Sequence, residues 1–111
     1  NLPGVTFEGV TFTPREPGDA KWAETTVRGI RLHLTDASRY DPTVTAVHLL
    51  AAVQAVHPDR IKLGGIFDKL AGGPTLRDAI LRGDAAATIV AGWQSGLTAY
   101  RERIKPFLLY R

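Results

Sequence analysis

Neither cysteine nor methionine occurs anywhere in this chain of 111 residues. The first absence excludes disulfides, thiolate zinc sites and a cysteine nucleophile. It does not fix a compartment, because many exported proteins also lack disulfides. The second, together with the opening Asn1-Leu2-Pro3, points to an excised domain or processed fragment. An initiator methionine is trimmed ahead of small residues, which Asn is not, so any signal peptide is expected to lie outside this stretch. No apolar run approaches the roughly 20 residues that span a bilayer, and no signal-peptide pattern opens the chain. A concentrated charge of one sign is lacking as well. The net charge is +3, but Arg77, Arg82, Arg101, Arg103 and Lys105 are interleaved with Asp78, Asp84 and Glu102. Nucleic-acid binders cluster their cations and interleave stacking aromatics, so a solvated surface is the favoured reading.

What is present describes a soluble globular domain: 44% apolar and 23% charged residues, in a length that holds one core. Strands are expected near 5–13 and 26–35. Val5 and Phe7 share one parity and Val10 and Phe12 the other, across Gly9; Ile30, Leu32 and Leu34 alternate with polar residues, while Val27 is out of phase across Gly29. A glycine at a parity change suggests a β-bulge on each strand. The intervening Thr13–Trp22 stretch, with two prolines and a glycine among charges, is a loop.

From Asp41 the pattern turns helical, with Asp41 as N-cap and Pro42 as first residue. Helices are expected near 42–56, 65–71, 74–82 and 85–105. The first is apolar on nearly every side and should sit deep in a fold; His57-Pro58 stops it. The last carries Ile89, Val90, Trp93, Leu97, Tyr100 and Ile104 in one stripe, with Asp84 as its cap and Gly92 and Gly96 suited to close packing. The closing Phe107-Leu108-Leu109-Tyr110 reads as a short edge strand over 107–110. The fold class is α+β, a small mixed sheet packed with three to four helices in a single domain, residues 1–111.

Little here carries chemistry by pattern. His33, His48 and His57 lack metal-ligand spacing. The glycine pairs at 64–65 and 72–73 match no phosphate loop, and no serine sits in a nucleophile elbow. Glycoside hydrolysis needs two carboxylates across a bond, yet Glu8, Glu16, Asp19, Glu24, Asp36 and Asp41 show no signature of such a pair. Asp36 ends a strand, where a side chain bonded to its own turn is favoured over a catalytic one.

Four segments in order, NLPGVTFEGVTFTP, VRGIRLHLTD, FDKLAGG-TLRDAILRG (with Pro74 at the gap) and RIKPFLLYR, resemble the C-terminal domain of the NamZ-type exo-β-N-acetylmuramidases over essentially the whole chain. The family often has Cys near Thr26 and Arg directly after the Thr-Asp pair, where this chain has Ala37. The resemblance implies an auxiliary, cleft-forming domain of a bacterial glycoside hydrolase that removes N-acetylmuramic acid from the non-reducing end of peptidoglycan fragments. It implies a Rossmann-like N-terminal catalytic domain in the same chain, a peptidoglycan-derived sugar as ligand, and catalytic residues outside this stretch. It implies no metal or organic cofactor, no nucleic acid, no membrane insertion, and an exported, periplasmic or extracellular location. This stretch alone is expected to be inactive. On that reading the Thr35–Pro42 loop grips or shapes the sugar. Arg39 is the candidate for the lactyl carboxylate, because an arginine fork matches one, with Lys21 and Asp36 as further contacts. Phe12, Trp22 and Tyr40 are candidates to stack on sugar faces, although for Trp22 covering a core edge is the favoured reading. An autonomous cell-wall glycan-binding module and a protein-interaction domain are the alternatives.

Overall fold

A computed structural model describes residues 1–110. The chain divides into two compact units, Asn1–Asp41 and the residues from Pro42 onward.

The first unit is a β-hairpin. β1 (Val5–Phe12) pairs antiparallel with β2 (Val27–Leu34), from Val5 opposite Leu34 to Phe12 opposite Val27. The pairing is continuous, so the expected bulges are absent. The parity change has another cause. Because opposed residues share a face, Val5, Phe7, Ile30, Leu32 and Leu34 lie on one face toward the open end. Val10, Phe12 and Val27 lie on the other face toward the loop end. The apolar stripe therefore crosses from one face to the other, in register on both strands, without an inserted residue. Gly29 sits where the crossing requires it: a Cβ there would lie 2.8 Å from Cε1 of Phe12, whose ring covers the gap diagonally across the ladder. The connection between the strands is a loop, held in part by a Thr13–Thr26 hydroxyl contact of 2.9 Å at its neck. In this loop Glu16, Ala20, Trp22 and Glu24 all adopt positive φ.

The second unit is helical. α1 (Pro42–Val56), α2 (Gly65–Ala71) and α3 (Thr75–Arg82) fall where the spacing predicts. α1 packs on α3 and on α4 (Ala86–Ala91), and α2 packs on α3. The core is small: Val47, Ala79, Ile80, Ala86 and Ile89 are buried, and Leu50, Leu63, Leu76 and Trp93 lie against them. Arg77 of α3 forms an ion pair with Asp68 of α2, tying these two short helices. Burial in α1 is one-sided, with Thr45 and Val47 buried but Val53 and Val56 exposed, so its all-round apolarity does not place it deep inside.

The expected helix over 85–105 is two helices. α4 ends at Gly92, and α5 (Gln94–Ile104) begins after Trp93, whose N–H bonds to the Val90 carbonyl in a tighter turn. Glycine contributes least to helix stability among non-proline residues, and beyond the interruption at Gly92 and Trp93 the stripe does not continue into the core: Leu97 and Tyr100 are exposed. Gly96 does not serve close packing, since a Cβ there would meet nothing within 4 Å. Asp84 does not cap α4: the N-cap is Ala85, without a side-chain bond, and the Asp84 carboxylate is held by Arg82 at 2.5 Å. The segment 107–110 is not a strand. Lys105–Phe107 forms a 3-10 turn, and among the described residues the sheet consists of β1 and β2, so the expectation of a mixed sheet gives way to an antiparallel one. A short apolar run alone does not make a strand; a ladder partner must be within bonding distance. The α+β class stands. Among the described residues, no helix is long and apolar enough to cross a membrane.

Candidate functional site

The loop after β2 is built from the hairpin's own backbone. The Gly4 carbonyl accepts hydrogen bonds from the N–H groups of Thr35 (2.9 Å) and Asp36 (3.2 Å). The Asp36 carbonyl accepts from Arg39 (3.3 Å) and Tyr40 (3.1 Å), closing one turn. Asp36 Oδ1 accepts twice from Ser38, from its N–H at 3.0 Å and its hydroxyl at 2.6 Å. These bonds to Ser38, the hydroxyl first, hold the Asp36 carboxyl below the ordinary aspartate range, since donors favour the ionised form. The side chain thus bonds its own turn, as a strand-end aspartate is expected to do.

Gly4 is the hinge of this arrangement. Its φ is +74°, and a Cβ there would lie 2.4 Å from the Asp36 carbonyl oxygen and 2.7 Å from the Tyr40 nitrogen. Only glycine combines the left-handed backbone with so close an approach.

A cavity of about 570 Å³ opens beside the loop, lined by the Asn1–Phe7 segment with Thr35 and Arg39. Its wall holds one cationic side chain, Arg39, and no carboxylate. The Arg39 side chain is exposed and forms no ion pair among the described residues. A guanidinium can present paired donors to a carboxylate, so Arg39 gives this wall one group suited to an anion. Nothing on the wall offers the two acid groups that break a glycosidic bond.

The six residues singled out from the sequence do not converge. Asp36, Arg39 and Tyr40 share the loop, Tyr40 half-buried beside Gly4. Phe12 ends β1 at its far end, roughly 24 Å from Val5 at about 3.4 Å per residue, and its ring is engaged with Gly29. Lys21 and Trp22 belong to the connecting loop beyond it. Lys21 pairs with Asp19 at 3.6 Å, both exposed. Trp22 is 69% exposed, so it does not cover a core edge, and it adopts a positive φ in the connecting loop.

Two features escaped the sequence reading. One is the part played by Asn1–Phe7, for which the Pro3-Gly4 pair was a turn signal and no more. The other is a contact between Glu8 and His33, whose Nε2 donates to the Glu8 carboxylate at 2.7 Å, diagonally across the ladder. That hydrogen bond is the main cause of a lowered Glu8 pKa, aided by the charges of His33 and Arg31. In the helical unit a smaller cavity of about 200 Å³ lies along Gly96, Ala99, Tyr100 and Arg103, but there the Arg103 guanidinium is already stacked 5.5 Å over the Tyr100 ring. Among the described residues, no group of His, Asp and Glu is placed to hold a metal ion.

Comparison with known proteins gives a consistent result. Residues 1–110 match the family described as "Exo-beta-N-acetylmuramidase NamZ, C-terminal". The chain is similar to the peptidoglycan beta-N-acetylmuramidase NamZ of Bacillus subtilis (strain 168), with 29% identity over 112 residues. That alignment covers 99% of this chain and 26% of the relative, so the chain spans about a quarter of its length. No solved structure matches.

Proposed function

The chain belongs to the family of C-terminal domains of the exo-β-N-acetylmuramidase NamZ, and from that premise we propose that it is an auxiliary, cleft-forming domain of a bacterial peptidoglycan glycosidase. The parent enzyme removes N-acetylmuramic acid from the non-reducing end of cell-wall fragments. The acids that break the bond come from a Rossmann-like catalytic domain of the same chain, and the enzyme works outside the cytoplasm on exported or released glycan. No metal or organic cofactor takes part.

The observation that carries this reading is the family match across essentially the whole chain. The cavity supports it. A muramic residue differs from its N-acetylglucosamine neighbour by a lactyl carboxylate, and a wall with one arginine, free of ion pairs and of acid groups among the described residues, suits that group. The hairpin supports the auxiliary role. Phe7, Ile30, Leu32 and Leu34 lie on one sheet face and are each at least 41% exposed, an apolar surface fit to be covered by another domain.

The test sets the full-length enzyme and this domain side by side. Each receives a chromogenic β-N-acetylmuramide and the matching N-acetylglucosaminide. Release from the muramide by the full-length enzyme alone is the expected result. Cleavage by the isolated domain would return attention to its own carboxylates, Asp36 first, and cleavage by neither would end the glycosidase reading.

A further inference from the structure

We propose that Asp36 is a positioning residue for Arg39: its carboxylate braces the loop that presents the guanidinium to the cavity and does not itself meet the sugar. This rests on the reading of Arg39 as the lactyl-carboxylate receptor given above. Three observations carry it. Both Ser38 donors converge on Asp36 Oδ1, so this oxygen is already engaged by the loop. The same residue's backbone oxygen receives the Arg39 and Tyr40 N–H groups, so the turn that carries Arg39 is anchored at Asp36. Asp36 is absent from the cavity wall, whereas Thr35 and Arg39, on either side of it in the loop, line that wall.

The physical gain is preorganisation. A free arginine side chain loses rotamer freedom when it grips a carboxylate, and a mobile loop adds backbone disorder to that loss. Fixing the Arg39 backbone removes the second part before the ligand arrives. Engaging the aspartate with local donors also directs part of its negative charge away from the incoming anion. Gly4 acts on the same loop from the other strand, because its carbonyl holds the Thr35 and Asp36 N–H groups.

The experiment uses the full-length enzyme and two substrates, a chromogenic β-N-acetylmuramide and the same compound with its lactyl acid as methyl ester. Arg39→Ala should raise KM for the acid about tenfold, the loss of a charge-assisted contact, and leave the ester nearly unaffected. Asp36→Ala should raise KM in the same acid-selective way but by less, about threefold, since ordering a loop costs less than losing the contact. Asp36→Asn keeps an oxygen acceptor for both Ser38 donors and should restore the wild-type ratio. That acid-to-ester KM ratio is independent of the fraction of enzyme that folds, and general structural damage would change both substrates alike.

If Asp36→Asn is as harmful as Asp36→Ala, the charge itself acts on the substrate and the positioning role is wrong. If Asp36→Ala leaves the ratio unchanged while Arg39→Ala alters it, the brace is unnecessary and the role is equally wrong. If Arg39→Ala shows no acid selectivity, the receptor reading fails first and takes this inference with it.

Discussion

The hairpin unit and the helical unit handle their apolar residues in opposite ways. The helical unit closes Val47, Ala79, Ile80, Ala86 and Ile89 into a small core. The hairpin unit buries Val5 and leaves Phe7, Phe12, Ile30, Leu32 and Leu34 between 41% and 57% exposed. Helices satisfy their backbone internally and need only one face covered. A lone pair of strands has two faces and two open edges, and an isolated hairpin is at best marginal in water. The unit that carries the candidate site is therefore the one whose own packing is least complete. Its order comes from the ladder and from polar bonds such as those around Asp36.

The largest expected effect tests the core side of this contrast. Ile80 is 0% exposed, so Ile80→Ala should cost about 2–5 kcal/mol of stability, transfer and cavity terms together. Leu34, 57% exposed, should cost under about 1 kcal/mol on the same change, because most of its surface is already wet. Urea unfolding followed by helical circular dichroism measures the first. Hairpin amide exchange measures the second. Equal costs would break the contrast.

A smaller effect separates two glycines within the hairpin. Nothing lies within 4 Å of a Cβ placed on Gly9, so Gly9→Ala should stabilise by about 0.5–1 kcal/mol through reduced chain entropy. Gly29→Ala must displace the Phe12 ring and should lose about 1 kcal/mol instead. Thermal melts of the two variants should move in opposite directions. A rise for both would show that the ring does not rest on Gly29.

The smallest effect is the pH response of the loop. The Asp36 carboxyl titrates lower in the folded chain, chiefly through its bond from the Ser38 hydroxyl. A depressed carboxylate stabilises the fold above its unfolded value, about 3.9, and that contribution is lost as pH falls through the folded value. The Ser38 amide resonance should therefore hold steady down to that region and shift below it. A midpoint at or above the ordinary aspartate value would contradict the brace.

Much of the fold was legible in the residues. α1, α2 and α3 follow from periodicity, Pro58 and Gly83, because such signals act within a turn or two. The strands and their parity change were legible from alternation, but the cause of that change was not. A bulge and a stripe crossing between faces look alike on one strand, and the register of both is needed to tell them apart. The Phe107–Tyr110 segment is an apolar run of strand length, yet a strand is a property of a pair. The site divided similarly. Arg39 stood out as a cation in a polar loop at a strand end, whereas Gly4 carried no sign that its backbone would lie against Asp36 and Tyr40.

What the sequence determined by itself is the order and approximate ends of the elements from β1 to α3, and the family, because local spacing acts between near neighbours and the motif order runs along the chain. The tertiary structure alone decided which faces stay open, which donors Asp36 engages, and that Arg39 stands beside a cavity without an ion pair among the described residues. Those outcomes depend on the ladder between β1 and β2, which fixes residues from opposite ends of the hairpin within one hydrogen bond of each other.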